Sequence, residues 1–127
     1  MNKISNIVYT PTYLKQKEEM DKKEVLKLEQ AIEVHGYRGA SKKKHNGVVN
    51  IKPDDKELWK SLEKFKLLDE DFVSKKVKEN KEIFEIDVKI VAHCPNGNRA
   101  VGSLYKDKNE GYKLYVYGFS NYNYQLF

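Results

Sequence analysis

Arg38 and Arg99 are the only arginines in this chain of 127 residues, and a guanidinium is the side chain suited to holding a phosphate through two parallel hydrogen bonds. Arg38 opens the densest basic stretch, where Lys42, Lys43 and Lys44 follow it within seven residues. Such a cluster suits contacts with a nucleic-acid backbone, although an exposed, solvated loop is the simpler reading of a charge run. Arg99 leaves the turn sequence Pro95-Asn96-Gly97-Asn98 directly into a β-rich run. Just before that turn, Lys89 and His93 fall on the polar side of an alternating segment, where a cation and a proton-transfer group are free to act. Tyr112, Tyr115, Tyr117, Tyr122 and Tyr124 concentrate phenol rings at the end of the chain. Rings in such a place stack on bases or pack a sheet, and both readings stay open.

Three strands must carry most of these groups. Glu82 to Cys94, Arg99 to Tyr105 and Tyr112 to Phe119 alternate or are β-rich, and turn sequences separate them, which predicts an antiparallel meander. In the first run Phe84, Ile86, Val88, Ile90 and Ala92 form the apolar side, with Glu85, Asp87, Lys89, Val91 and His93 opposite. In the third, Leu114, Val116 and Gly118 are expected on one face and Lys113, Tyr115, Tyr117 and Phe119 on the other.

Upstream, Ile4 to Tyr9 reads as a short strand that ends at Thr10-Pro11, because proline withholds a ladder donor. A helix follows, starting at the capping pair Asp21 and Glu24 or already from Thr12 onward, with Val25, Leu28, Ile32 and His35 as its apolar stripe and Gly36 as its stop. The segment from Gly36 to Pro53 loses periodicity and reads as a loop, with Val48 to Ile51 as a short strand. Asp54 and Glu57 cap a second helix striped with Leu58, Trp59, Leu62 and Phe65, and Asp69-Glu70-Asp71 opens a third. The expected plan is α+β: a small antiparallel sheet with a C-terminal three-stranded meander, and helices packed on one face.

Composition bounds the rest. Hydrophobic residues make up 39% of the chain, which suits one domain spanning 1–127. The 24 Lys and Arg exceed 19 Asp and Glu only mildly, so the formal charge of +5 alone proves no partner. Cys94 is the only cysteine and neighbours His93 without ligand spacing, so no metal, cofactor or disulfide is expected. No apolar run reaches membrane-spanning length and no secretory leader precedes the charged start, which points to the cytoplasm. Phosphate-binding loops, nucleophile elbows and dinucleotide fingerprints are missing too, so nucleotide and acyl chemistry are not expected.

Several stretches together resemble the RelE/HigB-type toxins. These are Ile7-Val8-Tyr9-Thr10-Pro11 before a charged helix, Ile83-Phe84-Glu85-Ile86, Arg99-Ala100-Val101-Gly102-Ser103-Leu104-Tyr105, and the closing Lys113-Leu114-Tyr115-Val116-Tyr117-Gly118-Phe119. The block at about 52–80 has no counterpart in that pattern and reads as an inserted helical segment. The resemblance implies an endoribonuclease that cuts mRNA on the ribosome, without a metal, under restraint by an antitoxin protein. A ribose 2′-OH attacks the adjacent phosphate, and the protein supplies a base, cations and a proton donor. Arg99 matches the phosphate clamp and Tyr122 stands where a general acid is expected; Lys89 and His93 join them by placement on the polar strand side. Arg38, Lys42, Lys43, Lys44, Tyr115 and Tyr117 are the expected RNA contacts. The alternative is a non-catalytic phage or mobile-element inhibitor that meets its target through the tyrosine-rich sheet face.

Overall fold

A computed structural model describes residues 4–39, 48–50, 56, 60, 63–64, 71–72, 83–93, 99–107 and 111–120. The chain is α+β, and the elements run β1 (Ile4–Tyr9), α1 (Pro11–Lys17), α2 (Lys22–His35), β2 (Tyr37–Gly39), β3 (Val48–Asn50), β4 (Ile83–His93), β5 (Arg99–Asp107) and β6 (Gly111–Ser120). They form one six-stranded sheet in the order β1-β6-β5-β4-β3-β2. β4, β5 and β6 are the expected antiparallel meander. The sheet as a whole is mixed, because β1 runs parallel to β6 at one edge and β2 parallel to β3 at the other.

The first strand ends where proline requires it. Pro11 has no N–H to continue the ladder and sits at the first helical position, where none is needed. Thr10 joins the two elements. Its backbone N–H donates to the Val116 carbonyl at 3.1 Å, its hydroxyl donates to the Tyr117 carbonyl at 2.9 Å, and the same oxygen caps α1 by accepting from the Tyr13 N–H at 3.3 Å. Past that point Gln16 takes over the strand edge: its Oε1 accepts from the Phe119 N–H at 2.8 Å and its Nε2 donates to the Phe119 carbonyl at 3.4 Å.

α2 starts and stops where its sequence says. Asp21 accepts from the Lys23 N–H at 3.2 Å, and Gly36 ends the helix at a φ of 62°, a conformation that side-chain-bearing residues resist. Its stripe of Val25, Leu28 and Ile32 is buried against Ala100, Leu104, Leu114, Val116 and Phe119 of the sheet, with Tyr13 of α1 beside it. Burying each such aliphatic side chain contributes about 1.5–3 kcal/mol, so this layer is the main source of stability on the helix side. Tyr9, Tyr13 and Phe119 stack in series, with ring centroids 4.7 and 4.9 Å apart.

Two corrections concern strand phase. Tyr117 is an extra residue in β6: Val101 pairs with Gly118 and Gly102 with Val116. A bulge of this kind reverses the alternation beyond it, and Phe119 therefore joins Leu114 and Val116 under the helices instead of the face that holds Tyr115. β4 slips in the same manner between Ile90 and Ala92. The third correction is local. Tyr37-Arg38-Gly39 is the edge strand β2 rather than a loop, held to β3 by the Val48 N–H donating to the Gly36 carbonyl at 3.0 Å.

The sheet also curls. Tyr37 and Tyr112 have centroids 5.1 Å apart although four strand spacings separate β2 from β6. A flat sheet would hold those strands about 19 Å apart, so strong coiling brings its two sides together around Val48 and Ile4. Between β3 and β4, Lys56, Lys60, Glu63 and Lys64 are helical and exposed. Their spacing marks the polar side of the second expected helix; its stripe of Leu58, Trp59, Leu62 and Phe65 lies outside the described residues.

Candidate functional site

The meander places its functional groups by register. Arg99 opens β5 opposite His93 on β4 and opposite Ser120 on β6, so one cross-strand row joins the three positions at the same end of the sheet. Along β5, Arg99, Val101, Ser103 and Tyr105 alternate with Ala100 and Leu104, which belong to the helix-side core. The row of Arg99 is therefore on the face turned away from α1 and α2.

That second face is buried as thoroughly as the first. Val101, Tyr105, Tyr115 and Tyr117 are at most 1% exposed, and Ser103, Lys113 and Ser120 at most 4%. Tyr105 meets Tyr115 edge to face at a centroid distance of 4.8 Å. Burial pushes the Tyr105 hydroxyl well above the ordinary phenol range, with the neighbouring Tyr117 and then Tyr115 adding to the effect. Arg99 keeps 9% of its surface, and its Nε is buried.

The expected site residues thus divide into groups. Arg99 and His93 are brought level by the backbone. Lys89 is level with Gly102 instead, and Gly102 lies three positions from Arg99 along β5, on the opposite face. The slip between Ile90 and Ala92 is the reason: without it, positions 89 and 93 would share a face. Tyr115 and Tyr117 have no exposed ring on which a base could stack, because both rings are packed within the second face. Arg38 lies in the edge strand β2. Lys42, Lys43, Lys44 and Tyr122 lie outside the described residues.

Ser120 joins this row through the structure alone. Its hydroxyl is fully buried and has no hydrogen-bond partner among the described residues, and the sequence carries no sign of it, since only the bulge at Tyr117 aligns it with Arg99. A second polar cluster is built between the helices. Tyr13 donates to Glu29 Oε1 at 3.0 Å and Lys17 to the same oxygen at 2.9 Å. Burial, then Glu29 and Glu33, raise the neighbouring Tyr9 hydroxyl. With Lys17 and Glu29 partly exposed, that ion pair contributes about 0–1 kcal/mol and reads as a support for the helix pair.

Among the described residues no group of three or more His, Cys, Asp or Glu is placed to hold a metal ion, and no helix is long and apolar enough to cross a membrane. No protein-family model, curated protein or solved structure matches the chain.

Proposed function

We propose that the chain is an endoribonuclease that binds an RNA phosphate at the meander end where Arg99, His93 and Ser120 share a row, and cuts mRNA on the ribosome in the cytoplasm as the toxin of a toxin–antitoxin pair. The single observation that supports this reading is the row itself. It sets the one arginine of the meander beside a histidine position and a buried hydroxyl. The reaction needs a base to take the 2′-OH proton while that oxygen bonds to phosphorus, and an acid to protonate the departing 5′-oxygen. His93 is the proposed base, since imidazole is the side chain most used for proton transfer, Arg99 stabilises the charge that grows on the phosphoryl oxygens, and Tyr122, two residues beyond Ser120, is the proposed acid. Lys89 has no place in this arrangement. The basic run of Arg38, Lys42, Lys43 and Lys44 is the proposed secondary contact with the RNA backbone.

Induced expression of the wild type and Arg99→Ala in a bacterial host tests this. Growth arrest with new mRNA ends, absent in a folded Arg99→Ala protein, is the expected result. Unimpaired growth with intact mRNA would sink the nuclease.

One observation favours a second reading. Leu14, Leu26 and Val34 are 48%, 56% and 76% exposed on the helices, which suits a non-catalytic inhibitor that meets a protein target. Its contact surface would then be the outer helix layer, because the tyrosine-rich sheet face is packed. Such a protein would be tolerated by the host and would copurify with its target.

A further inference from the structure

Ser120 and Thr10 are equally buried hydroxyls, yet only one has work in the fold. Thr10 caps a helix and closes a strand. The Ser120 hydroxyl bonds to nothing among the described residues. Buried polar groups are nearly always satisfied, and an orphan calls for an explanation such as an absent ligand. Packing supplies none, because alanine would fill the same space without losing a bond.

The neighbour of Ser120 supplies one. Arg99 is its direct register partner across β5 and β6, and residues so opposed hold their Cβ atoms about 4.5–5.5 Å apart on one face. A buried hydroxyl beside a guanidinium offers two kinds of donor, which fits an oxyanion with several acceptor oxygens. Arg99 retains some exposed surface, so the pair is not wholly closed to solvent. We propose that Ser120 and Arg99 form an oxyanion cradle for a phosphate group, with Ser120 Oγ donating to one oxygen and Arg99 carrying the opposing charge. This rests on the RNA reading for the source of the phosphate, a ribonucleic-acid backbone; a free phosphate shares its chemistry.

The test uses the purified full chain as wild type and Ser120→Ala, followed by NMR at the Ser120 amide and the Arg99 Nε–H. One titration uses inorganic phosphate. The other uses a 2′-O-methyl oligoribonucleotide, which binds but offers no 2′-OH for cleavage. Ser120→Ala removes no hydrogen bond found in the fold, so it stays folded. Both signals should move with each probe, and Ser120→Ala should weaken oligonucleotide binding about tenfold, the loss expected for one hydrogen bond to a charged group. Movement with inorganic phosphate but no oligonucleotide binding supports the cradle and removes RNA as its ligand. Equal binding by wild type and Ser120→Ala, or no movement at Ser120 with either probe, overturns the cradle. In both cases mRNA mapping with Arg99→Ala judges the nuclease separately.

Discussion

The two faces of β5 and β6 are buried to the same extent but are made of different things. Under α1 and α2 the layer is aliphatic and aromatic, with Leu28, Ile32, Leu114, Val116 and Phe119 in mutual contact. On the opposite face lie three tyrosines, two serines, a lysine and an arginine, all nearly sealed from water. Hydrophobic burial explains the first face outright. The second carries polar groups whose desolvation costs free energy unless each is satisfied, so it is the face on which fold and function compete. Groups retained there against that cost are the natural place to look for a binding site.

Substitutions can break this contrast, beginning with the bulge that creates it. Gly102 faces the bulged segment of β6, and a Cβ at this position would sit 2.1 Å from the Tyr115 carbonyl oxygen. Backbone cannot yield as a flexible side chain does, so Gly102→Ala should cost about 3 kcal/mol or more, or abolish folding, as read by urea denaturation. Phe119→Ala removes the ring that the phase reversal brings under the helices, together with its stack on Tyr13. A loss of about 3–5 kcal/mol is expected; a loss below 1 kcal/mol would mean that Phe119 is not in the core. Thr10→Val keeps the shape but deletes both the cap and the bond to Tyr117, for about 1–2 kcal/mol in the same assay.

Smaller effects separate the faces further. Tyr9 and Tyr105 both hold their protons more tightly when folded than the ordinary phenol does. The unfolded chain therefore gives up these protons first. The stability these two groups contribute should be fully present below about pH 10, the ordinary phenol range, and be lost as the pH rises beyond it. Tyr9→Phe should flatten part of that fall, and an unchanged alkaline profile would contradict the burial of its hydroxyl. Ser120→Ala should leave thermal stability unchanged or raise it by about 1 kcal/mol, since an unsatisfied hydroxyl is removed. A clear loss would show that Ser120 has a structural partner.

How much of this the sequence announced depended on whether the signal was local. Pro11, the Asp21 cap, the stripe of Val25, Leu28 and Ile32, and Gly36 are neighbours along the chain, and each element formed where those residues place it. The meander was legible for the same reason, because turn residues and strand runs adjoin. Phase was not. A bulge is one extra residue opposite a partner far away in sequence, and nothing local marks Tyr117 or Val91 as that residue. Three departures follow from it: Phe119 changed faces, Lys89 and His93 fell out of phase, and Ser120 came level with Arg99. Arg38 carries no strand signal, because a three-residue strand paired to Val48 and Val49 is too short to show periodicity. The tyrosines had two open readings because alternation tells which face a ring is on, not what covers it.

If the row of Arg99 handles an RNA phosphate, mRNA cleavage in a purified translation reaction depends on that arginine. Wild type and Arg99→Ala, each shown to be folded by circular dichroism, would be added to ribosomes translating a defined mRNA, and the ends of the products mapped and characterised. Discrete cuts that leave a 2′,3′-cyclic phosphate with the wild type, and none with Arg99→Ala, are the predicted result. Intact mRNA with the wild type, or equal cutting by both proteins, would contradict it.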